Sequence, residues 1–566
     1  MSIASAYTFN GSGGGWTLQD ALTTTKTITL TNGTLDSGNQ DITQTGSGGF
    51  TSTSGTRTLT LGSSTWTMAT GTWNITSNGI TFNCGTSSIT NGGSTWVPGN
   101  SLTYYSVILN RNGSMSTSTV GTTTYTNFTR TGGASYGGLS IGANFTVTGN
   151  LTITGANSGS QREFVSSAII GTSRAITCNG TVSLTNVDFR DITGAGSASW
   201  TGGTSIGNAG GVSGITTTTP VTRYWVHGAS ASYELIGGGM WSTSSGGSVG
   251  ASDPLPQDSI VFNGSSFSAG SKTVAVNTSW RVGSTTWTGV TNTPTLNIPS
   301  TSNTLTVVGD LTLVAGMSVT GTGGFSFLGR GSQTLTSAGI SLSYVVFSGA
   351  GGTYTLQDTL TCTLASGSFT LFAGTVDFNG FDTTFASVVV GGGSITRNLI
   401  MGSGTLTLTG SGNVWTSVTT SGLTITPNSS TIKLTNATSA SKSFNGGTKT
   451  FNNIWLSGTG TGSFDFEGGG GSATFADFKC DTPPHSIRFQ ASSTITVTTF
   501  TVSGTAGNLM TLSSITGGSA FTLTKSGGGT ISCDYLSISD STASPATTWY
   551  AGTHSTNGGG NTNWSF

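Results

Sequence analysis

Apolar side chains in this chain recur at every second position, in short segments separated by turn residues. In the stretch Thr65–Cys84, Trp66 and Met68 alternate with threonine, then come Trp73 and Ile75, then Ile80, Phe82 and Cys84. Residues i and i+2 share one face of a strand, so each segment offers two or three apolar side chains to a core. Between the segments stand Ala-Thr-Gly and Ser-Asn-Gly, where glycine and asparagine enter positive φ at little cost. The pattern returns at Leu406/Leu408, Leu423/Ile425 and Ile432/Leu434, about one strand per nine residues. No amphipathic helix is predicted. Short strands at even spacing are compatible with a sandwich, a barrel or a β-solenoid.

Internal similarity favours the solenoid. Trp16-Thr-Leu-Gln-Asp-Ala-Leu22 returns as Tyr354-Thr-Leu-Gln-Asp-Thr-Leu360, and downstream Asn32-Gly-Thr-Leu-Asp36 echoes Ala373-Gly-Thr-Val-Asp377. Phe145-Thr-Val-Thr-Gly-Asn-Leu-Thr-Ile153 returns as Leu305-Thr-Val-Val-Gly-Asp-Leu-Thr-Leu313. A third phrase joins an aromatic to an acid: Val187-Asp-Phe189, Ala476-Asp-Phe478 and Cys533-Asp-Tyr535. Such repeats read as rungs of variable loop length, each burying its apolar face only by stacking on its neighbours. The expected fold is all-β: parallel β-helix (β-solenoid) segments in tandem, with a smaller irregular β region between them. The segments are 1–219 (first solenoid), 220–300 (irregular, Trp- and Pro-containing), 301–475 (second solenoid) and 476–566 (final rungs and an aromatic cap).

Charge is nearly absent. Asp, Glu, Lys and Arg make up 7% of 566 residues and the net charge is -1, whereas 90 residues are glycine. Disorder usually combines high net charge with few aromatics, but this chain carries 13 Trp and 27 Phe, so it is read as folded. A nucleic-acid partner needs a basic stripe, and 18 scattered Lys and Arg form none. No apolar run approaches the about 20 residues of a membrane helix, so no membrane insertion is expected. The opening Met1–Asn10 lacks a basic region followed by an apolar one, so no secretory signal is read there. The five cysteines, Cys84, Cys178, Cys362, Cys480 and Cys533, form neither a disulfide framework nor a zinc site. Cys84, in phase with Ile80 and Phe82, is expected to be a small buried hydrophobe.

Catalytic chemistry has few candidates. A glycosidase needs two carboxyl groups about 5–10 Å apart in a cleft, and the sequence offers Asp188 with Asp191, Asp465 with Glu467, and Asp253 with Asp258. Phe464 and Phe466 flank Asp465, which reads as a solvent-facing strand residue; Asp188 and Asp191 bracket Arg190, which reads as a local ion pair. His227, His485 and His554 have no ligand-spaced neighbours, so no metal or other cofactor is expected. Glycine runs such as Gly321-Thr-Gly-Gly324 read as turns, since no helix follows them to cradle phosphate. Aromatics off the regular alternation are the better lead: Trp225, Tyr233 and Trp241, and Trp549, Tyr550 and Trp564. Such side chains stack on sugars or fill interfaces. The rival account, favoured here, is packing of caps and joints.

Arg223-Tyr-Trp-Val-His-Gly228, Met240-Trp-Ser-Thr-Ser-Ser-Gly-Gly247 and Asp258-Ser-Ile-Val-Phe262 resemble a module that recurs among Gly/Ser/Thr-rich proteins. Val502-Ser-Gly-Thr-Ala-Gly-Asn508, Asp534-Tyr-Leu-Ser-Ile-Ser-Asp-Ser541, Trp549-Tyr-Ala-Gly552 and Asn561-Thr-Asn-Trp564 extend it. From residue 223 onward the chain thus resembles uncharacterised Gly/Ser/Thr-rich β-solenoid proteins of tailed bacteriophages and environmental bacteria. The resemblance implies a parallel β-helix and a virion or cell-surface setting, and it transfers no catalytic residue. The expectation is a non-enzymatic structural virion protein (fibre, spike or capsid decoration), released by host lysis. Its partners would be itself, as a homo-oligomer and most simply a trimer, other virion proteins, and a host surface glycan. The alternatives are a secreted bacterial surface or matrix fibre, and a polysaccharide-degrading tailspike.

Overall fold

The computed structural model of the protein describes residues 6–118, 121–132, 137–156, 161–226, 239–268, 270, 272–365, 368–417, 420–467 and 472–566, and the backbone of 233–234. Among them there is no helix; about 50% of the chain is strand, in parallel sheets stacked as about 23 turns of β-solenoid. The chain is therefore a parallel β-helix, as the alternation and repeats predict. It forms two compact units, Met1–Tyr224 with Leu235–Ile260 and Thr278–Gly283, and Trp225–Glu234 with Val261–Asn277 and Ser284–Phe566. Residues 220–300, read from sequence as one irregular link, are thus shared between the units. Strand Thr474–Cys480 crosses the 475/476 boundary drawn from sequence and pairs on both sides, with Thr450–Leu456 and with Thr494–Val502.

In the first unit one turn comprises three strands. Phe50–Ser52, Arg57–Thr60 and Thr65–Met68 pair in parallel with Trp73–Ile75, Ile80–Asn83 and Ser88–Asn91 of the next turn. Because pairing is in register, like residues stack. Ile28, Phe50, Trp73 and Trp96 form one buried column, and Ile42, Trp66, Ile89, Val107, Phe128 and Leu151 another. In the second unit Leu305, Phe325, Val345, Phe369, Val388, Trp415, Phe444, Phe466 and Phe489 pair in succession into one column, with a register shift just before Trp415. All nine are buried, each stabilising the stack by about 1.5–3 kcal/mol relative to exposure.

The first sequence repeat marks equivalent corners in the two units. Trp16 lies next to the end of the long strand Tyr7–Thr17 and pairs with Leu35; Tyr354 lies near the end of Val345–Leu356 and pairs with Val376. Both strands carry bulges just before the aromatic, after Asn10 and after Ser348. Facing each bulge is a left-handed glycine, Gly33 (φ 87) or Gly374 (φ 88). A Cβ on Gly33 would collide with the carbonyl oxygens of Gly11 and Gly14, and one on Gly374 with those of Gly349 and Gly352.

Turn-to-turn bonds absorb the scarce acids. Asp41 accepts from Thr65 N (2.7 Å), Asp310 from Thr334 N (2.7 Å) and Asp382 from Thr405 N (2.7 Å), each one turn further on. Asn39 and Asn127 do the same for Ser63 N and Asn150 N. The edge of Thr204–Asn208, the last long strand of the first unit, is closed by Thr218, whose N–H donates to Ile206 O (2.9 Å) and whose Oγ1 accepts from Ile206 N (2.9 Å), and by the Gln257 side chain. Gln257 Oε1 accepts from Asn208 N (2.8 Å), and its Nε2 donates to Ile206 O (3.1 Å) and Thr218 O (2.8 Å).

Candidate functional site

Four of the five cysteines are buried, but Cys84 is half-exposed, contrary to the sequence reading. It follows the strand Ile80–Asn83, whose inward residues are themselves only partly covered. Of the six candidate contact aromatics, Trp225 (1% exposed), Trp241 (0%) and Trp549 (0%) lie inside and present no ring to a ligand. Trp225 packs near Phe262, 5.7 Å between centroids, and Trp549 against Phe500 and Trp564. Their two- to four-residue strands are too short for alternation to reveal an inward face. Trp564 is half-buried, with Nε1 donating to Ser541 Oγ (3.0 Å), whereas Tyr550 stands at the surface. Pairing of Trp549 with Trp564 and of Tyr550 with Ser565 brings these three aromatics together. Tyr233 pairs through its backbone with Val274; its side chain, like His227, lies outside the described residues.

The carboxylates act as staples. Arg162 directs Nε (2.9 Å) and Nη2 (2.5 Å) at Asp188 Oδ1, and both side chains are buried. Asp191 accepts from Gly171 N (3.0 Å) and lies 3.8 Å from Arg190, the local pair read from sequence. Asp465 is buried and chelated by Arg488 (2.7 and 2.5 Å) on the next turn, which raises the Arg488 pKa. Its neighbours Phe464 and Phe466 point inward as expected, yet the carboxylate is covered rather than solvent-facing. Asp258 accepts from Leu255 N and Val221 N, both 2.9 Å, and burial pushes its carboxyl up. Burial also raises Glu163, with Arg130 (2.8 and 3.1 Å) partly opposing it.

Several cations serve backbone carbonyls instead of acids. Buried Arg57 bonds four carbonyls and two hydroxyls, and buried Arg397 bonds the carbonyls of Ile395, Gly391, Gly393 and Ser421. Burial lowers the pKa of both. His485 is buried against Phe464, and burial lowers its pKa, with buried Lys442 adding to the effect. His554, exposed, donates Nδ1–H to Asp534 Oδ2 (2.8 Å) and stacks on Tyr535 at 4.5 Å and 6°. Among the described residues no group of three or more His, Cys, Asp or Glu could hold a metal ion.

One surface feature escaped the sequence reading. Strands Thr431–Leu434, Thr450–Leu456 and Thr474–Cys480 pair so that Lys433, Trp455 and Lys479 are consecutive in one outward column. The indole is half-exposed, with Lys433 Nζ 3.8 Å and Lys479 Nζ 4.3 Å from its centroid. Each such contact is worth about 0.5–1 kcal/mol at an exposed site. Trp455 Nε1 donates to Asp481 Oδ1 (2.8 Å), and Lys479 pairs with Asp481 Oδ2 (3.0 Å). Burial alone would raise Asp481; the bonds from Trp455 and Lys479 prevail and hold its carboxyl below the usual range. The signal was present in Thr431-Ile-Lys-Leu, Asn453-Ile-Trp-Leu and Asp477-Phe-Lys-Cys, once aligned as consecutive turns.

No protein-family model, curated protein or solved structure matches the chain. The class that the fold itself defines is the parallel β-solenoid.

Proposed function

We propose that the chain is a non-enzymatic structural protein of the fibre or spike kind, carried on a tailed-phage virion as fibre, spike or capsid decoration. It assembles as a homo-oligomer, most simply a trimer, with other virion proteins as neighbours and a host surface glycan as its target. The observation that carries this reading is the use made of its polar groups. Asp41, Asp310 and Asp382 accept backbone N–H groups one turn away, and Arg57 and Arg397 bond backbone carbonyls. A protein that spends its few charges on turn-to-turn bonds is built for stiffness.

Three of the six carboxylates named for the depolymerase alternative are engaged in structural bonds. Asp188 and Asp465 are held by arginines and Asp258 caps a loop. Sedimentation of the purified full-length chain tests the assembly. A single closed oligomer that resists protease is expected; a protease-sensitive monomer overturns the proposal.

A further inference from the structure

The outward column Thr407, Lys433, Trp455, Lys479, Thr501 departs from the chemistry of its surroundings. Threonine occupies both ends of it, and Thr405, Thr431 and Thr499 stand in the adjoining column. β-Branched residues suit such positions on a pleated surface, so sheet formation does not require an indole and two ammonium groups at this height. Other lysines of this unit turn back onto backbone carbonyls: Lys442 on Thr438 O, Lys449 on Leu423 O and Lys525 on Thr498 O. Lys433 and Lys479 remain half-exposed instead.

The indole is fixed from three sides, by an ammonium on each face and by Asp481 at Nε1. Its faces are covered, so it meets a ligand by its outer edge, as a rigid wall beside Lys433. A side chain ordered before binding loses little entropy on binding. Charge then selects the ligand. Asp481 compensates Lys479 at 3.0 Å, whereas Lys433 touches only the indole and has no carboxylate partner among the described residues. Asn453 and Asp477, paired in the adjoining column, add hydrogen-bonding groups beside it.

From this arrangement we infer that the outward face centred on Lys433 and Trp455 binds an acidic glycan. A sugar carboxylate sits at Lys433, and sugar hydroxyls bond Asn453 and Asp477. The inference deepens the proposed function, on whose surface-binding reading it rests, and moves the binding site away from the aromatics named from sequence. A nucleic acid would require a basic stripe, and a protein partner an apolar centre; here two lysines face two carboxylates, so the face suits a single sugar carboxylate at Lys433 with hydroxyls turned to Asp477, the pattern of a uronic acid.

The test is binding of the full-length chain to polygalacturonate, alginate and hyaluronate, each beside its methyl-esterified form, at low and at physiological salt. At least one acidic polymer is expected to bind, and esterification or Lys433→Gln to weaken it by roughly tenfold, as loss of one charged hydrogen bond implies. Trp455→Ala weakens it at least as much, Lys433→Arg restores most of it, and Tyr550→Ala leaves it unchanged. Failure of all three acidic polymers to bind overturns the inference, as does equal affinity for the esters or indifference to Lys433→Gln. Closed protease-resistant oligomers that bind no acidic polymer sink this site alone. A fall in polymer viscosity during the assay contradicts the non-enzymatic reading instead.

Discussion

Arg57→Met removes a buried guanidinium while keeping the length and apolar stem of the side chain. In the native turn Nε donates to Ser52 Oγ (2.6 Å), Nη1 to Gly55 O (2.8 Å) and Asn78 O (2.7 Å), and Nη2 to Ser52 O (2.8 Å), Thr76 O (2.7 Å) and Thr76 Oγ1 (3.1 Å). Ser52 O keeps a bond from Thr76 N (3.0 Å), so the carbonyls of Gly55, Thr76 and Asn78 bear the loss. At about 1–1.5 kcal/mol for each of three partly buried acceptors the gross loss is roughly 3–4 kcal/mol. Removing the charge also relieves its desolvation, the cause of the lowered Arg57 pKa, and that relief offsets part of the loss. A net of about 2–3 kcal/mol remains, or roughly 30- to 150-fold in an opening equilibrium. In a solenoid each turn contacts only its neighbours, so the damage should stay local. Hydrogen exchange is the assay: amides of 50–60 and 73–83 should lose protection by that factor while those of 486–514 keep theirs. Arg57→Lys, without the planar fork, should recover less than half of the difference. Protection within about threefold of the parent at 50–60, or equal loss in both units, would show that the carbonyl clamp does not hold the turn.

Gln257→Ala should loosen the edge of Thr204–Asn208, with about 1–3 kcal/mol lost from three hydrogen bonds and faster exchange at the amide of 208, while the amide of 206, held by Thr218 Oγ1, changes less. An unchanged edge would assign its closure to other groups. His485 supplies a pH dependence. Its native pKa is lowered by burial and then by Lys442, so the unfolded state takes up the proton first as pH falls. Its contribution is therefore whole above about pH 6.5, the unfolded value, and is lost progressively below that. Protection in 464–489 should fall between neutral pH and about pH 5, and His485→Phe should flatten that fall. A variant as acid-sensitive as the parent would place the titration elsewhere.

The alternation of Trp66 with Met68 and of Leu406 with Leu408 carried the strand assignment, because a parallel solenoid buries one side of every strand and period two survives intact. The repeated phrases carried the solenoid. Trp16 and Tyr354 mark equivalent bulged corners, and the echo at Gly33 and Gly374 is the left-handed glycine each bulge requires. Charge partners were not legible. Asp188 has Arg190 two residues away, yet its partner is Arg162 on the preceding turn, a contact set by turn length rather than by neighbours along the chain. The same phrase places Asp477 on an outward face, bonded by Thr499 Oγ1, so the motif alone does not determine burial. Trp225, Trp241 and Trp549 were singled out for breaking the alternation. Each lies in a strand of two to four residues, where an inward ring and an outward one look alike in sequence. Lys433, Trp455 and Lys479 were missed for the converse reason: three unremarkable outward positions become a cluster only when turns are stacked in register.

Electron microscopy of the purified full-length chain, averaged well enough to count subunits, bears most directly on the fibre-or-spike account. Discrete particles of one length and one rotational symmetry, with about 4.8 Å spacing between successive strands along each solenoid, are the result the account predicts. Open-ended filaments of variable length, or isolated monomers, would contradict it.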